Sequence, residues 1–238
     1  MSDVTLYHWE PNANSVKPML TLMEKGVAFD SHYLDLLNFD QHQPAYLAIN
    51  PLGTIPAMTH RGSWGTRVLT ESTAIMEYVD EAFDGPSLMP KNSVDRWRVR
   101  WWMKFMDQWL APSFSMISWS VFIGPAVRSK DPEMVKAAID PIQMEERRVA
   151  RGILMLEEAL GQREWPGSDA YGLADINGFN LAYALPLSQP HLSNDELTPN
   201  IMRWLRRIYA RPAAKATWAM GKTDMVKRVA ILETAEAA

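Results

Sequence analysis

The 238-residue sequence predicts two domains: an α/β domain of order βαβαββα over residues 1–86, a linker over 87–92, and an all-helical domain over 93–238. Three observations predict it. Up to about residue 85, short apolar strands alternate with amphipathic helical stretches. The run 85–92 (GPSLMPKN) has the turn chemistry of a linker. From Val94 onward the pattern is helical almost throughout, with no internal repeat.

Residues 4–7 read as a strand and 8–14 as a loop holding Pro11 and two asparagines. A helix follows from Ser15, with Pro18 in its first turn, Met19, Leu22 and Met23 on one face, and Gly26 at its end. Residues 28–34 form a second predicted strand, and 43–49 a short helix leading into Asn50-Pro51. Ile55-Pro56 follows a turn at Gly53-Thr54 and precedes the apolar Ala57-Met58. That setting suits a proline at the start of a strand and accommodates a cis bond. Gly62 and Gly65 close a hairpin to a strand over 67–70. Glu71-Ser72 opens a helix over 72–82, with Ile75, Met76 and Val79 at helical spacing and Ser72 as the expected N-cap. The sum is a thioredoxin-like layer of sheet and helices.

In the helical part, residues 94–110 carry Trp97, Trp101, Trp102, Phe105, Met106 and Trp109, and Pro112 kinks or ends that helix. Residues 113–123 continue with Met116, Ile117, Trp119 and Phe122, 124–132 form a loop, and Asp140-Pro141 opens a long amphipathic helix to about Leu160. In the segment YGLADI, from Tyr171 to Ile176, Asp175 stands at N3 of a capping box behind Gly172, and Tyr171 and Ile176 form a hydrophobic staple.

Composition excludes several classes of function. A net charge of −4 gives no general attraction to nucleic acid or anionic membrane, so neither is an expected partner. The polar start Met1-Ser2-Asp3 shows no signal peptide, and no apolar run approaches the ~20 residues that cross a bilayer. A cytoplasmic protein is expected. With no cysteine, disulfides, thiolate metal sites and a cysteine nucleophile are excluded. The five histidines show no metal-ligand spacing, so no metal is expected.

The X-Pro turn at Ile55-Pro56, facing a Glu71-Ser72 helix start across a hairpin, resembles the glutathione-binding half of the glutathione transferase superfamily. YGLADI and the segment WLRRIYARP, residues 204–212, are similar to that family's buried-helix cap and late helix, so the resemblance covers nearly the whole chain. The family usually has Ser or Thr where Gly172 stands, which implies a somewhat weaker helix start. The resemblance implies the glutathione transferase fold and glutathione as co-substrate. It also implies that Ile55, before a cis Pro56 and after Thr54, pairs main chain to main chain with the cysteine of glutathione. Glu71 would hold the γ-glutamyl ammonium, and Ser72 with the helix N–H groups its carboxylate. Lacking cysteine, the chain falls outside the cysteine-type branches, and any thiol chemistry comes from bound glutathione.

The family places a thiolate-stabilising group between the first strand and first helix, where a helix N-terminus and a hydrogen-bond donor lower a thiol's pKa. Asn12 and Ala13 offer no hydroxyl there. Asn14, whose amide can donate to sulfur, is the first candidate and Ser15 the second; the plainer alternative is that both cap the helix. Gln41 and His42, before the second helix, match positions that relatives use on the glycine carboxylate. The aromatic run has two readings. Trp97 and Trp101 are expected in the core, while Trp102, Phe105, Met106, Trp109, Met116 and Trp119 either pack there or line a pocket for a flat aromatic substrate. Arg96, Arg98 and Arg100 are expected on a solvated face.

Within the superfamily the chain resembles bacterial β-etherases that cleave lignin β-aryl ethers. The pieces that carry this are Ala13 to Pro18 (ANSVKP), Glu24-Lys25-Gly26, Gln41-His42, Ile49-Asn50-Pro51, Thr70 to Thr73, and Trp102 to Asp107 running on to Ile117-Ser118-Trp119. The implied reaction is attack of glutathione thiolate on the carbon alpha to a benzylic ketone, expelling a phenolate and leaving a thioether. A general conjugating transferase, a glutathione-dependent dehalogenase, and a non-catalytic docking member are the alternatives. The resemblance also implies a dimer, of identical or related chains, with the first domain of one against the helices of the other.

Overall fold

A computed structural model describes residues 2–11, 14–113 and 132–223. Its first domain runs β1 (Val4–His8), α1 (Val16–Lys25), β2 (Asp30–Tyr33), two 3-10 turns (Leu36–Asn38 and Asp40–His42), α2 (Pro44–Leu47), β3 (Ala57–Gly62), β4 (Gly65–Leu69) and α3 (Ser72–Ala82). The expected βαβαββα order is present, with the strands side by side as β2-β1-β3-β4. β1 is parallel to β2 and antiparallel to β3, which places Leu6 between Ser31 and Met58. Alternation along the strands then decides the faces. Val4, Leu6 and Met58 meet Met19 and Leu22 of α1 and Ile75 and Val79 of α3 in one buried cluster. Tyr7 and Ala57 meet Leu34, Tyr46, Ile49 and Ile55 in another.

α3 corrects the expected cap. Ser72 is its first helical residue, and Glu71 is the N-cap, at φ 66° and with no side-chain cap bond. Ile75 N–H to Glu71 O, at 2.9 Å, closes the first turn, so the Ser72 hydroxyl sits one residue too late to cap it. Behind α3 the next stretch of chain is pinned to α1 and α3. Asp80 pairs with the buried Lys25 at 3.3 Å and accepts the N–H groups of Leu88 and Met89 at 2.8 and 3.0 Å.

The second domain comprises α4 (Ser93–Phe105), a π-helical turn (Met106–Leu110), α5 (Pro132–Gln162), α6 (Leu173–Ala182), α7 (Leu185–Ser188), α8 (Pro199–Tyr209) and α9 (Pro212–Trp218). The helix expected over 94–110 is therefore interrupted. Pro112 has no N–H and its ring crowds the carbonyl four residues back. The π turn relieves this by letting Ala111 N–H reach Met106 O, five residues back. The expected helix over 113–123 and loop over 124–132 fall almost wholly outside the described residues. α5 starts at Pro132, not at Asp140-Pro141. One missing bond at Pro141 is tolerated because Val149, Ile153, Leu156 and Leu160 fasten the later turns into the core.

Trp97 and Trp101 are not core residues. They are 62% and 38% exposed, because α4 turns Val99, Trp102 and Met103 inward and leaves them outside that stripe. The helical core also takes in Val16 and Leu20 of α1 and Met76 of α3, so the two domains share one buried cluster. α6 lies at its centre. Its cap is the Asp175 half of a capping box: Asp175 accepts the Gly172 N–H at 2.9 Å and, through its other oxygen, Trp204 Nε1–H at 2.7 Å, while Gly172 has no side chain to return the bond.

Candidate active site

The loop between β1 and α1 is held from behind. His8 bonds Trp9 O and Ser31 Oγ, both at 2.7 Å, and burial pushes its pKa below the ordinary value. Trp9 N–H donates to Ser15 Oγ at 3.0 Å, and Ser15 is 1% exposed. Glu10, wholly buried, accepts the Tyr33 hydroxyl at 2.6 Å and the N–H groups of Lys222 and Thr223 at 3.0 and 3.2 Å. Lys222 and Thr223, after α9, are thereby fastened to this loop. Ser15 consequently points inward and makes no cap bond to α1. Asn14 points outward onto a cavity, its Oδ1 accepting from Asn180 Nδ2 of α6 at 3.0 Å.

That cavity, about 570 Å³, lies where α1, α3 and α4 meet. Glu71 and Ser72 line it together with Asn14. Glu71 sits in the left-handed region, which costs a non-glycine residue about 1 kcal/mol. The first N–H groups of α3 have no intrahelical partner, and no side chain caps them. An uncapped helix N-terminus of this kind binds a carboxylate, and a carboxylate such as Glu71 beside it binds an ammonium. Asp107, on the π turn, closes the floor. It accepts from Lys17 Nζ at 2.7 Å, Thr73 Oγ1 at 2.6 Å and Asn177 Nδ2 at 3.2 Å. Arg100 lines the cavity too, paired with Glu77 at 2.8 Å.

The remaining glutathione-site candidates lie off the cavity lining, on one turn system. Ile55-Pro56 is cis, as the sequence allows. Tyr46 Oη–H and Asn50 Nδ2–H hold Thr54 O at 2.6 and 2.7 Å, and among the described residues no hydrogen bond engages the main chain of Ile55. Gly53, at φ 62°, is required twice over: a Cβ there would stand 2.9 Å from His42 Nδ1 and 3.1 Å from Gln41 O. Its absence lets Gln41 and His42 pack beside Thr54. His42 is exposed and stacks on Phe39, while Gln41 Oε1 is buried with no hydrogen-bond partner among the described residues.

The aromatic set divides by helical face. Trp102, Phe105 and Met106 are 6%, 8% and 1% exposed and belong to the helical core, and of these three Phe105 also borders a groove. Trp101, Phe105 and Trp109, four residues apart, form a stacked ridge with centroids 5.2 and 6.2 Å apart. They line an open groove of about 400 Å³ with Lys104 and Gln108, and Arg148 lies 4.4 Å above the Trp109 ring. Met116 and Trp119 lie outside the described residues. Arg96, Arg98 and Arg100 are all ion-paired, with Glu81, Asp95 and Glu77. Asp107, Thr73, Lys17 and Asn177 are site residues that the motif reading passed over. With 90 residues between Lys17 and Asp107, no local pattern signalled their pairing. Among the described residues no helix is long and apolar enough to cross a membrane, and no cluster of acidic or histidine side chains could hold a metal.

A four-stranded mixed sheet with an uncapped α3 over a shared helical core is the architecture expected of a glutathione transferase. The family model for the Glutathione S-transferase N-terminal domain matches residues 13–82, and that for the C-terminal domain matches residues 110–212. The chain belongs to the glutathione S-transferase family, and glutathione is its co-substrate. It is 34% identical to Protein LigF of Sphingobium sp. (strain NBRC 103272 / SYK-6), over 94% of this chain and 96% of that protein. The crystal structure of Beta-etherase LigF from Sphingobium sp. strain SYK-6 superposes with a TM-score of 0.78 at 32% identity, covering 91% of this chain and 99% of that one. Glutathione S-transferase F10 of Arabidopsis thaliana is 30% identical over 85% of this chain and 91% of its own length. A family member from Pseudomonas fluorescens pf-5, crystallised with two glutathione bound, has a TM-score of 0.76 at 26% identity, over 90% and 91% of the two chains.

Proposed function

We propose that this enzyme cleaves β-aryl ether bonds in lignin-derived aromatic ketones. The carbon alpha to the ketone gains the sulfur of glutathione and loses its aryloxide, which leaves as a phenolate and takes a proton from water. The products are a glutathione thioether and a phenol. Carrying the reading is one cavity lined by Asn14, Glu71 and the first residues of the uncapped α3, which shares Lys104 and Gln108 with the groove of Phe105 and Trp109. The similarity to a β-etherase over nearly the whole chain supports it.

In this reading the N–H groups of α3 and the Ser72 hydroxyl hold the γ-glutamyl carboxylate, and Glu71 holds the ammonium. The free main chain of Ile55, ahead of Pro56 and beside Thr54, pairs with the cysteine unit, and Gln41 and His42 take the glycine carboxylate. Asn14 donates its amide to the sulfur, favouring the thiolate. Phe105 and Trp109 stack on the flat substrate, which fixes the line of displacement.

Purified protein, glutathione and a fluorogenic β-aryl ether ketone provide the test. Phenol release well above the rate with a halonitrobenzene acceptor is expected. The reverse ranking would favour dehalogenation or general conjugation, the latter supported by the similarity to a plant glutathione S-transferase. Failure to bind glutathione-agarose would favour the docking role. We further propose a cytoplasmic dimer, homo- or heteromeric. The exposed Val94, Trp97 and Trp101 of α4 and Trp64 and Val68 of the β3–β4 hairpin supply apolar surface for it.

A further inference from the structure

We propose that Asn180 is a positioning residue that sets which end of the Asn14 amide faces the cavity. The inference rests on the reading of Asn14 as the donor to the thiolate. An amide is two-faced toward an anion: its NH2 group attracts a thiolate and its carbonyl oxygen repels one. A bare Asn at the cavity rim would sample both. Here Asn180 Nδ2 donates to Asn14 Oδ1 at 3.0 Å, across 166 residues of chain. With that oxygen occupied, the NH2 group is the end left to the cavity that Asn14 lines.

α6 is built to deliver this contact. Asp175 fixes where the helix begins by accepting from Gly172 and Trp204, and Leu173, Ile176 and Phe179 are fully buried in the core. The register of the helix is therefore rigid. Asn177 and Asn180, three residues apart, lie on one side of it. Asn177 reaches Asp107 and Thr73 beside Ser72, while Asn180 reaches Asn14. One helix thus braces two walls of the cavity with amides.

The test reads the ionisation of bound glutathione against pH, from the ultraviolet absorbance of the thiolate, in the wild type and in N14A, N180A, N180D and N14A/N180A. N14A is expected to raise the pH of half-ionisation. N180A raises it less, lowering the thiolate at a fixed pH roughly three- to tenfold, the size of one lost hydrogen bond. N180D raises it more than N180A, because a carboxylate accepts from the Asn14 NH2 and turns its oxygen to the sulfur. In the N14A background, N180A adds nothing. Should N180D not fold, N180A in the two backgrounds carries the decision. An N180A enzyme with unchanged ionisation, or the same shift with and without Asn14, overturns the proposal. Unchanged ionisation in N14A overturns the Asn14 reading itself, and is distinguished from the other failures by that variant alone.

Discussion

Lys17 Nζ and Asp107 Oδ1 are 2.7 Å apart, although 90 residues separate them in the chain. The contact ties α1 of the first domain to the π turn of the second, and Thr73 and Asn177 complete it. The lysine side chain is 4% exposed, so its ammonium depends on this partner.

Removing Asp107 therefore leaves a buried cation unpaired. Asp107→Ala should lower stability by about 3 kcal/mol, measured as the shift of the urea midpoint. Lys17→Met should cost less, about 1 kcal/mol, because Asp107 keeps Thr73 and Asn177 and some contact with water. Equal losses in the two variants would contradict the pairing.

Ser15 and Asn14 are adjacent but should fail differently. Ser15→Ala removes the acceptor of Trp9 N–H inside a buried loop, and a loss of about 1–2 kcal/mol is expected with kcat barely changed. Asn14→Ala should lower kcat and leave the melting temperature nearly unaltered. Parallel measurement of kcat and thermal unfolding checks both.

Burial pushes the Asp175 carboxyl up from 3.8 to about 7, against the N–H donors of Trp204 and Gly172. A folded-state pKa above the unfolded value means that the proton is held more tightly in the native state. Its contribution is full below 3.8 and is lost as pH rises through about 7. Asp175→Asn does not titrate. The stability advantage of the wild type over this variant should shrink between about pH 4.5 and pH 8, read from urea midpoints. An advantage that grows with pH contradicts the assignment.

Serine is a better N-cap than glycine in isolation, yet Gly172→Ser should destabilise. A Cβ at position 172 would stand 2.2 Å from Leu88 O, a carbonyl that already accepts Leu173 N–H at 3.0 Å. A loss of about 2 kcal/mol is expected from overpacking, against the fraction of a kcal/mol that the cap could contribute. A raised unfolding temperature would refute the clash.

The βαβαββα order, the end of α1 at Gly26, the hairpin between Gly62 and Gly65 and the Asp175 box were legible from the residues alone. Each is a local matter, set by periodicity, a turn residue or a contact within a few positions. Glu71-Ser72 and Ile55-Pro56 were legible for the same reason. Helical spacing could not divide the aromatic run, because Trp101, Phe105 and Trp109 recur as regularly as Trp102 and Met106. Trp102, Phe105 and Met106 are buried while Trp101 is exposed, a division set by the helices packed against α4. That Asn14 lines the cavity while Ser15 is buried was likewise decided by packing: Asn14 meets Asn180 of α6, and Ser15 accepts Trp9 N–H inside the loop. Lys17 and Asp107 find each other only when two domains close on one core, and a charge in a sequence does not name its counterpart.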